Sequence, residues 1–304
     1  MWLIFAFASA GFAGITSILA KIGVKNIDSD LATALRTIVV AFFAWLIVFV
    51  TGAHTTLAQI DFKNFIFLVL SGLATGGSWL CYFKAIQLGD VNKVTPIDKS
   101  STVLSMLLAF VFLKEPLNAP KAIAMVLIGA GTYLMIARNR AKGGTDAKIP
   151  AGAPRDGALS PGRGGNNLWL TFASLSAVFA SLTAILGKVG VQDIDSNAGT
   201  AIRTVIVLAM VWLLVIIKGA HKEIRAIDGK GGLFLILSGI ATGLSWLCYY
   251  RALQTGPASI VVPIDKLSIL ITIAFSGLIL KEKLAPKAVC GLLLLVAGTL
   301  CLLF

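Results

Sequence analysis

Apolar runs of 17 to 22 residues recur along the chain, separated by short polar stretches, at 2–20, 33–51, 64–83, 94–113, 121–137, 168–187, 200–217, 231–250, 259–280 and 287–304. A helix rises about 1.5 Å per residue, so each run is long enough to cross a hydrocarbon core roughly 30 Å thick. The pattern therefore predicts an all-α integral membrane protein with ten transmembrane helices. The first run is not a cleavable signal: Trp2 follows Met1 with no basic n-region, and the same run returns mid-chain, so it reads as a retained helix.

Shifting the chain against itself by 167 residues aligns Trp2 with Trp169 and holds register almost to the end, with about two positions in five identical. Ser71-Gly72-Leu73-Ala74-Thr75-Gly76 returns as Ser238-Gly239-Ile240-Ala241-Thr242-Gly243. Ser78-Trp79-Leu80-Cys81-Tyr82 returns as Ser245-Trp246-Leu247-Cys248-Tyr249, and Pro96-Ile97-Asp98-Lys99 as Pro263-Ile264-Asp265-Lys266. The sequence divides into a five-helix repeat (1–137), a linker rich in Gly, Pro, Ala and Arg (138–167) and a second five-helix repeat (168–304). Five is odd, so continuous threading places the second repeat upside down. Inverted repeats suit a carrier whose centre opens to one side and then the other.

Composition agrees: mean hydropathy is +0.90, with 57% apolar and 13% charged residues, a balance that excludes a water-soluble domain of this size. The net charge of +12 is scattered in short loops without interleaved aromatics, which argues against nucleic acid as a partner. With ten spans, 17 Lys and Arg fall on the linker side and 5 on the side of the termini, so the positive-inside rule places the linker in the cytoplasm. The four cysteines lie inside apolar spans and read as packing residues, without a zinc spacing or a disulfide framework. No nucleotide-binding loop, metal cluster or nucleophile with its base is present, so neither a cofactor nor enzymatic activity is expected.

Several segments resemble the drug/metabolite transporter superfamily, and within it the EamA-like transporters. They are Arg36 in Thr33-Ala34-Leu35-Arg36-Thr37, the small-residue and aromatic third helix, Leu113-Lys114-Glu115-Pro116-Leu117, and Gly129-Ala130-Gly131-Thr132. The second copy carries Arg203, Trp246, Leu280-Lys281-Glu282-Lys283-Leu284 and Ala297-Gly298-Thr299. The resemblance implies a ten-helix inverted-repeat carrier in a bacterial-type cytoplasmic membrane, among relatives that export amino acids and other metabolites. It also implies half-size relatives that pair, so two fused units satisfy pairing internally and leave a monomer. Ten-helix relatives are generally drawn with both termini in the cytoplasm, opposite to the charge count, and orientation stays open.

Charges inside spans are costly and mark solute or ion paths by default. Here they are Arg36, Arg203, Asp98, Lys99, Asp265 and Lys266. The aspartates suit proton or amine binding and the cations suit carboxylate or phosphate, while register-fixing ion pairs are the plain alternative. Ser78 with Tyr82, and Ser245 with Tyr249, lie four apart on one helix face beside Trp79 and Trp246, a wall suited to an amphipathic solute or to helix packing. Thr75, Thr242, Gln87 and Gln254 are candidates to extend it. Pro96 and Pro263 are expected either to start helices or to break them where a site needs free backbone groups, the repeated glycines to pack helices, and His54 and His221 to sit in equivalent solvated turns. The expected function is secondary transport of a small polar or amphipathic metabolite, amino-acid-like or cationic, proton-coupled or facilitative. A lipid or lipid-linked-sugar flippase and a non-transporting membrane scaffold are the alternatives. Membrane lipids are the other expected partners.

Overall fold

A computed structural model describes residues 1–23, 29–88, 97, 100–137, 168–278 and 286–303. Among these lie eleven helices and no strand. In the first half they are α1 (Trp2–Gly23), α2 (Ser29–Val50), α3 (Phe62–Leu88), α4 (Ser101–Leu113) and α5 (Ala119–Ala137). In the second they are α6 (Leu168–Gly190), α7 (Ser196–Lys218), α8 (Gly229–Thr255), α9 (Ala258–Lys266), α10 (Ser268–Leu278) and α11 (Pro286–Cys301). Six of them (α1, α2, α3, α6, α7 and α8) are long and apolar enough to cross a membrane; α4, α5 and α11 are shorter apolar helices.

Local chemistry sets several boundaries. The Asp195 carboxylate accepts from the amides of Asn197 at 2.8 Å and Ala198 at 3.2 Å, capping the free donors that open α7. Gly219 ends α7 with φ 71°, and its repeat-mate Gly52 has φ 73° after α2; both lead into short 3₁₀ turns, Ala220–Ala226 and Ala53–Gln59. The left-handed residue without a Cβ turns the chain sharply at the end of each helix. His54 and His221 are exposed in these turns.

The ninth expected span, 259–280, is not one helix. It divides at Leu267 into α9 and α10, and Pro263 lies inside α9 instead of starting a helix. Proline lacks the amide that would bond the carbonyl one turn earlier, which loosens the helix. The break follows as a tighter turn: the Leu267 amide bonds the Ile264 carbonyl at 2.9 Å, and the Leu270 amide bonds the Leu267 carbonyl at 2.8 Å. The first repeat shows the same turn, with the Ser100 amide on the Ile97 carbonyl at 3.2 Å. Pro96, Asp98 and Lys99 lie outside the described residues.

Packing runs mainly between the halves. α1 lies along α8 and α3 along α6, α2 faces α7, and α5 faces α11. Under the 167-residue shift each of these pairs maps onto another or onto itself, which is the signature of a two-fold interface between like surfaces. Close approach explains the repeated glycines. A Cβ on Gly72 would stand 2.7 Å from Ile206 Cβ on α7, and one on Gly239 would stand 2.6 Å from Val39 Cβ on α2. Tighter still, a Cβ on Gly131 in α5 would lie 2.6 Å from the Gly291 carbonyl oxygen and 2.7 Å from the Leu295 amide in α11.

Glu115 joins the halves at one end. Lys114, with φ 52°, turns the chain out of α4 and directs the next carboxylate at the start of α9. That carboxylate accepts from the Ala258 amide at 2.6 Å, the Ser259 amide at 3.0 Å and the Ser259 hydroxyl. Lys188, near the end of α6, lies 3.4 Å from it and donates to the Gly256 carbonyl. An anion here satisfies free amides and meets the positive end of the α9 dipole. Glu115→Ala is expected to cost about 2–4 kcal/mol, because it leaves buried donors and a lysine unpaired, and Glu115→Gln less. Thermal unfolding in detergent should rank wild type above Gln above Ala. Gly131→Val should destabilise by roughly 2 kcal/mol or more, because backbone lies where its Cβ must go. An unchanged melting temperature would contradict this packing.

Candidate functional site

Between the halves lies a cavity of three adjoining lobes, about 430, 290 and 240 Å³, all sharing the indole of Trp79 as a wall. Both repeats contribute. α2, α3 and α4 bring Arg36, Tyr82 and Thr102, while α6, α8 and α9 bring Ala180, Trp246 and Lys266. The loosened turn after Pro263 opens one side, so Asp265 and Lys266 reach the space from the end of a helix.

The walls are held by hydroxyls spaced a turn or two apart, each meeting the opposite half. The Ser78 hydroxyl donates to the Ser176 carbonyl, and the Ser245 hydroxyl donates to the Ser9 carbonyl, both at 3.1 Å. One level along, the Ser71 hydroxyl donates to the Thr183 carbonyl at 2.8 Å and the Ser238 hydroxyl to the Thr16 carbonyl at 3.2 Å. These bonds come in repeat-related pairs, because Ser9 and Thr16 on α1 correspond to Ser176 and Thr183 on α6.

The charged groups break that symmetry. Arg203, 3% exposed, donates from Nε to the Ser71 hydroxyl at 3.1 Å and from Nη2 to the Thr75 hydroxyl at 2.6 Å. Its guanidinium carbon lies 5.0 Å from the Trp246 ring and 4.9 Å from the Tyr250 ring. It is a structural keystone between α3, α7 and α8. Arg36 lines two lobes, and its buried Nε has no hydrogen-bond partner among the described residues. Asp265 accepts from the Ser9 hydroxyl at 2.6 Å and lies 4.0 Å from Lys266 Nζ, itself half exposed. Asp30 lines the largest lobe and pairs with Lys218 of α7.

Of the residues singled out in the sequence, the structure brings Arg36, Ser78, Trp79, Tyr82 and Lys266 around the largest lobe. Arg203, Ser245, Trp246, Tyr249 and Asp265 line the second. Thr75 and Thr242 line the second and third. Gln254 is spent elsewhere, donating to the Val191 carbonyl at 2.8 Å and to the Ile194 carbonyl at the α6–α7 turn. Asp98, Lys99 and the Gln87 side chain lie outside the described set. Sequence reading missed Ser9, Ser71, Asp30 and Tyr250. The seven-residue spacing of Ser9 with Thr16, repeated by Ser176 with Thr183, is a polar stripe within apolar spans and was the available signal. Among the described residues no group of three His, Cys, Asp or Glu side chains is placed to hold a metal. Arg203→Gln forfeits two hydrogen bonds and two ring faces, so it is expected to cost about 2–4 kcal/mol in detergent unfolding, with Arg203→Lys intermediate.

The sequence model of the EamA-like transporter family matches residues 1–137 and again 167–304. An uncharacterized transporter in the cobO 3′ region of a Sinorhizobium species is 42% identical over 134 residues, which are 44% of this chain and 95% of that protein. That relative is thus the size of one repeat. An uncharacterized protein of Methanocaldococcus jannaschii is 35% identical over 97 residues, 32% of this chain and 69% of its own length. An uncharacterized protein of Pseudomonas aeruginosa is 32% identical over 133 residues, covering 43% of this chain and 42% of that protein. One solved crystal structure superposes with a TM-score of 0.73 at 14% identity, over 99% of this chain and 96% of its own, a likeness of fold. With the family matched once in each half, and with apolar helices packed about a shared cavity, the chain belongs to the EamA-like transporters and is a multi-pass membrane transporter.

Proposed function

We propose that the chain is a secondary carrier for a small amphipathic, amino-acid-like metabolite, working by alternating access between two inverted five-helix units. The observation that carries this reading is the cavity of about 430 Å³ between the halves, lined by charged, hydroxyl and aromatic groups from both. Its volume falls within the roughly 300–1,000 Å³ of small-molecule sites, and its mixed walls suit a solute with one polar end. A scaffold has no use for unfilled polar space of this kind in a bilayer.

The contacts between halves support the inverted threading. Ten spans place Asn64, Glu115, Lys188, Gln192 and Gly256 on one side of the membrane and Asp30 and Lys218 on the other. Asn64 meets Gln192, Glu115 meets Lys188 and Ser259, and Asp30 meets Lys218, so each pair falls on a single side. Such units rock about their shared axis. Glu115 and Lys188 hold one corner closed. Asp265, at the cavity wall beside Ser9 and Lys266, is the carboxylate placed to couple a proton to the movement.

The test is flux in proteoliposomes of the full chain, using hits from a thermal-shift screen of amino acids, polyamines and sugar phosphates. Wild type should show saturable counterflow. Trp79→Ala should cut it about tenfold or more, and Trp79→Phe, which keeps most of the packing, should cut it less. Asp265→Asn should keep counterflow but lose the component driven by a pH gradient. Absence of saturable flux for every hit would sink the carrier reading, and an unchanged pH-driven component in Asp265→Asn would remove that residue from coupling.

A further inference from the structure

The duplication supplies an internal control, because Arg36 and Arg203 are the same residue in two copies of one unit. Arg203 is held on several sides: it donates to two hydroxyls, and two aromatic rings lie about 5 Å from its guanidinium carbon. The hydroxyls that correspond to its partners are present for Arg36 as Ser238 and Thr242, and they bond α1 just as Ser71 and Thr75 bond α6, but they accept nothing from the Arg36 Nε. Ser238 donates to the Thr16 carbonyl at 3.2 Å, and Thr242 lies 3.3 Å from the Thr16 hydroxyl. Tyr250 has Phe83 as its repeat-mate, so one hydroxylated ring is also missing from the sequence around Arg36. Arg36 is left with a buried Nε that bonds nothing among the described residues, on the edge of the two lobes of about 430 and 240 Å³.

A guanidinium carries five donors in a planar fork, and burying them without acceptors is costly. The acceptor that fits that fork is a planar or tetrahedral oxyanion bound through two oxygens. Lys266 adds a second cation to the same lobe; its side chain is 46% exposed and its ion pair with Asp265 is long, at 4.0 Å. Asp30, which lines the same lobe, pairs with Lys218 of α7. Beside these cations stand the faces of Trp79 and Tyr82, which favour an apolar or aromatic body.

Resting on the carrier reading, we infer that Arg36, assisted by Lys266, is the anion-recognising end of the solute site. The transported metabolite therefore bears a carboxylate or phosphate joined to a small apolar body, and a solute whose only charge is cationic is excluded. Arg203 takes no part in recognition, despite its equivalence in sequence.

The experiment titrates phenylacetate, phenyl phosphate, the neutral phenylacetamide and the cationic phenethylamine into the purified full chain in neutral detergent, read by calorimetry and thermal shift. Phenylacetate or phenyl phosphate should bind, whichever is preferred naming the oxyanion, while the amide and the amine should bind at least about tenfold more weakly. Arg36→Gln should lose the preference for the anion, Arg36→Lys should keep part of it, and Lys266→Gln should weaken it. Arg203→Lys should lower the melting temperature and leave the preference intact. Should Arg36→Gln fail to fold, Arg36→Lys and Lys266→Gln carry the test. Equal binding of amide and carboxylate, preference for the amine, or an anion preference untouched by both substitutions would each overturn the assignment. Competition by phosphatidylglycerol in nanodiscs would replace a free solute with a lipid headgroup and overturn it as well. Arg36-dependent binding without flux would keep the assignment and remove the carrier, whereas flux indifferent to solute charge would do the reverse.

Discussion

Inside a hydrocarbon slab a polar group must find its partner within the protein, and where the two repeats face each other several hydroxyls find it in the other half. Ser78 meets Ser176, Ser245 meets Ser9, Ser71 meets Thr183 and Ser238 meets Thr16, each across the interface between repeats. A single such bond is worth about 0.6 kcal/mol in a membrane, so no one of them decides the fold. Repeated about a two-fold relation and backed by close glycine contacts such as Gly72 on Ile206, they fix which faces meet. The arrangement leaves a polar-lined cavity between the halves.

The two-fold relation is clear in the helix pairs and broken in the charges. Arg203 closes a network of hydroxyls and rings, whereas Arg36, its copy, faces open space. Both copies line the cavity, but one donates across the interface while the Nε of the other bonds nothing among the described residues. A dimer of identical units adopting the same state would have two equivalent arginines. The copies also differ in sequence, with Tyr250 in the second where the first has Phe83.

Glu115 illustrates a different limit of reading by pattern. In the sequence it belongs to a short polar stretch after the fourth span, and Lys188 counts as one basic loop residue among several. In the fold they cap the start of α9 together and close a corner between the halves. Nothing local to Leu113-Lys114-Glu115-Pro116 announces this, because the amides it satisfies lie 143 and 144 residues further along the chain. The ninth span failed for a related reason. Hydropathy sees an unbroken apolar run from 259 to 280, but the amide missing at Pro263 and the tighter turn at Leu267 are backbone facts to which hydropathy is blind.

What the sequence determined by itself is the solvent, the duplication and the small set of intramembrane charges. Hydropathy is additive along the chain, and a repeat is visible wherever two segments share residues. Tertiary structure decided which members of that set meet. Ser78 and Ser245 became bonds between helices, Gln254 was drawn to the α6–α7 turn, and Arg203 was buried against two rings. Arg36 and Lys266 were left facing the cavity. Charge, size and spacing are the same for both arginines in the one-dimensional pattern. Only the positions of their neighbours, set by packing across the two-fold relation, give one two acceptors and leave the Nε of the other without one among the described residues.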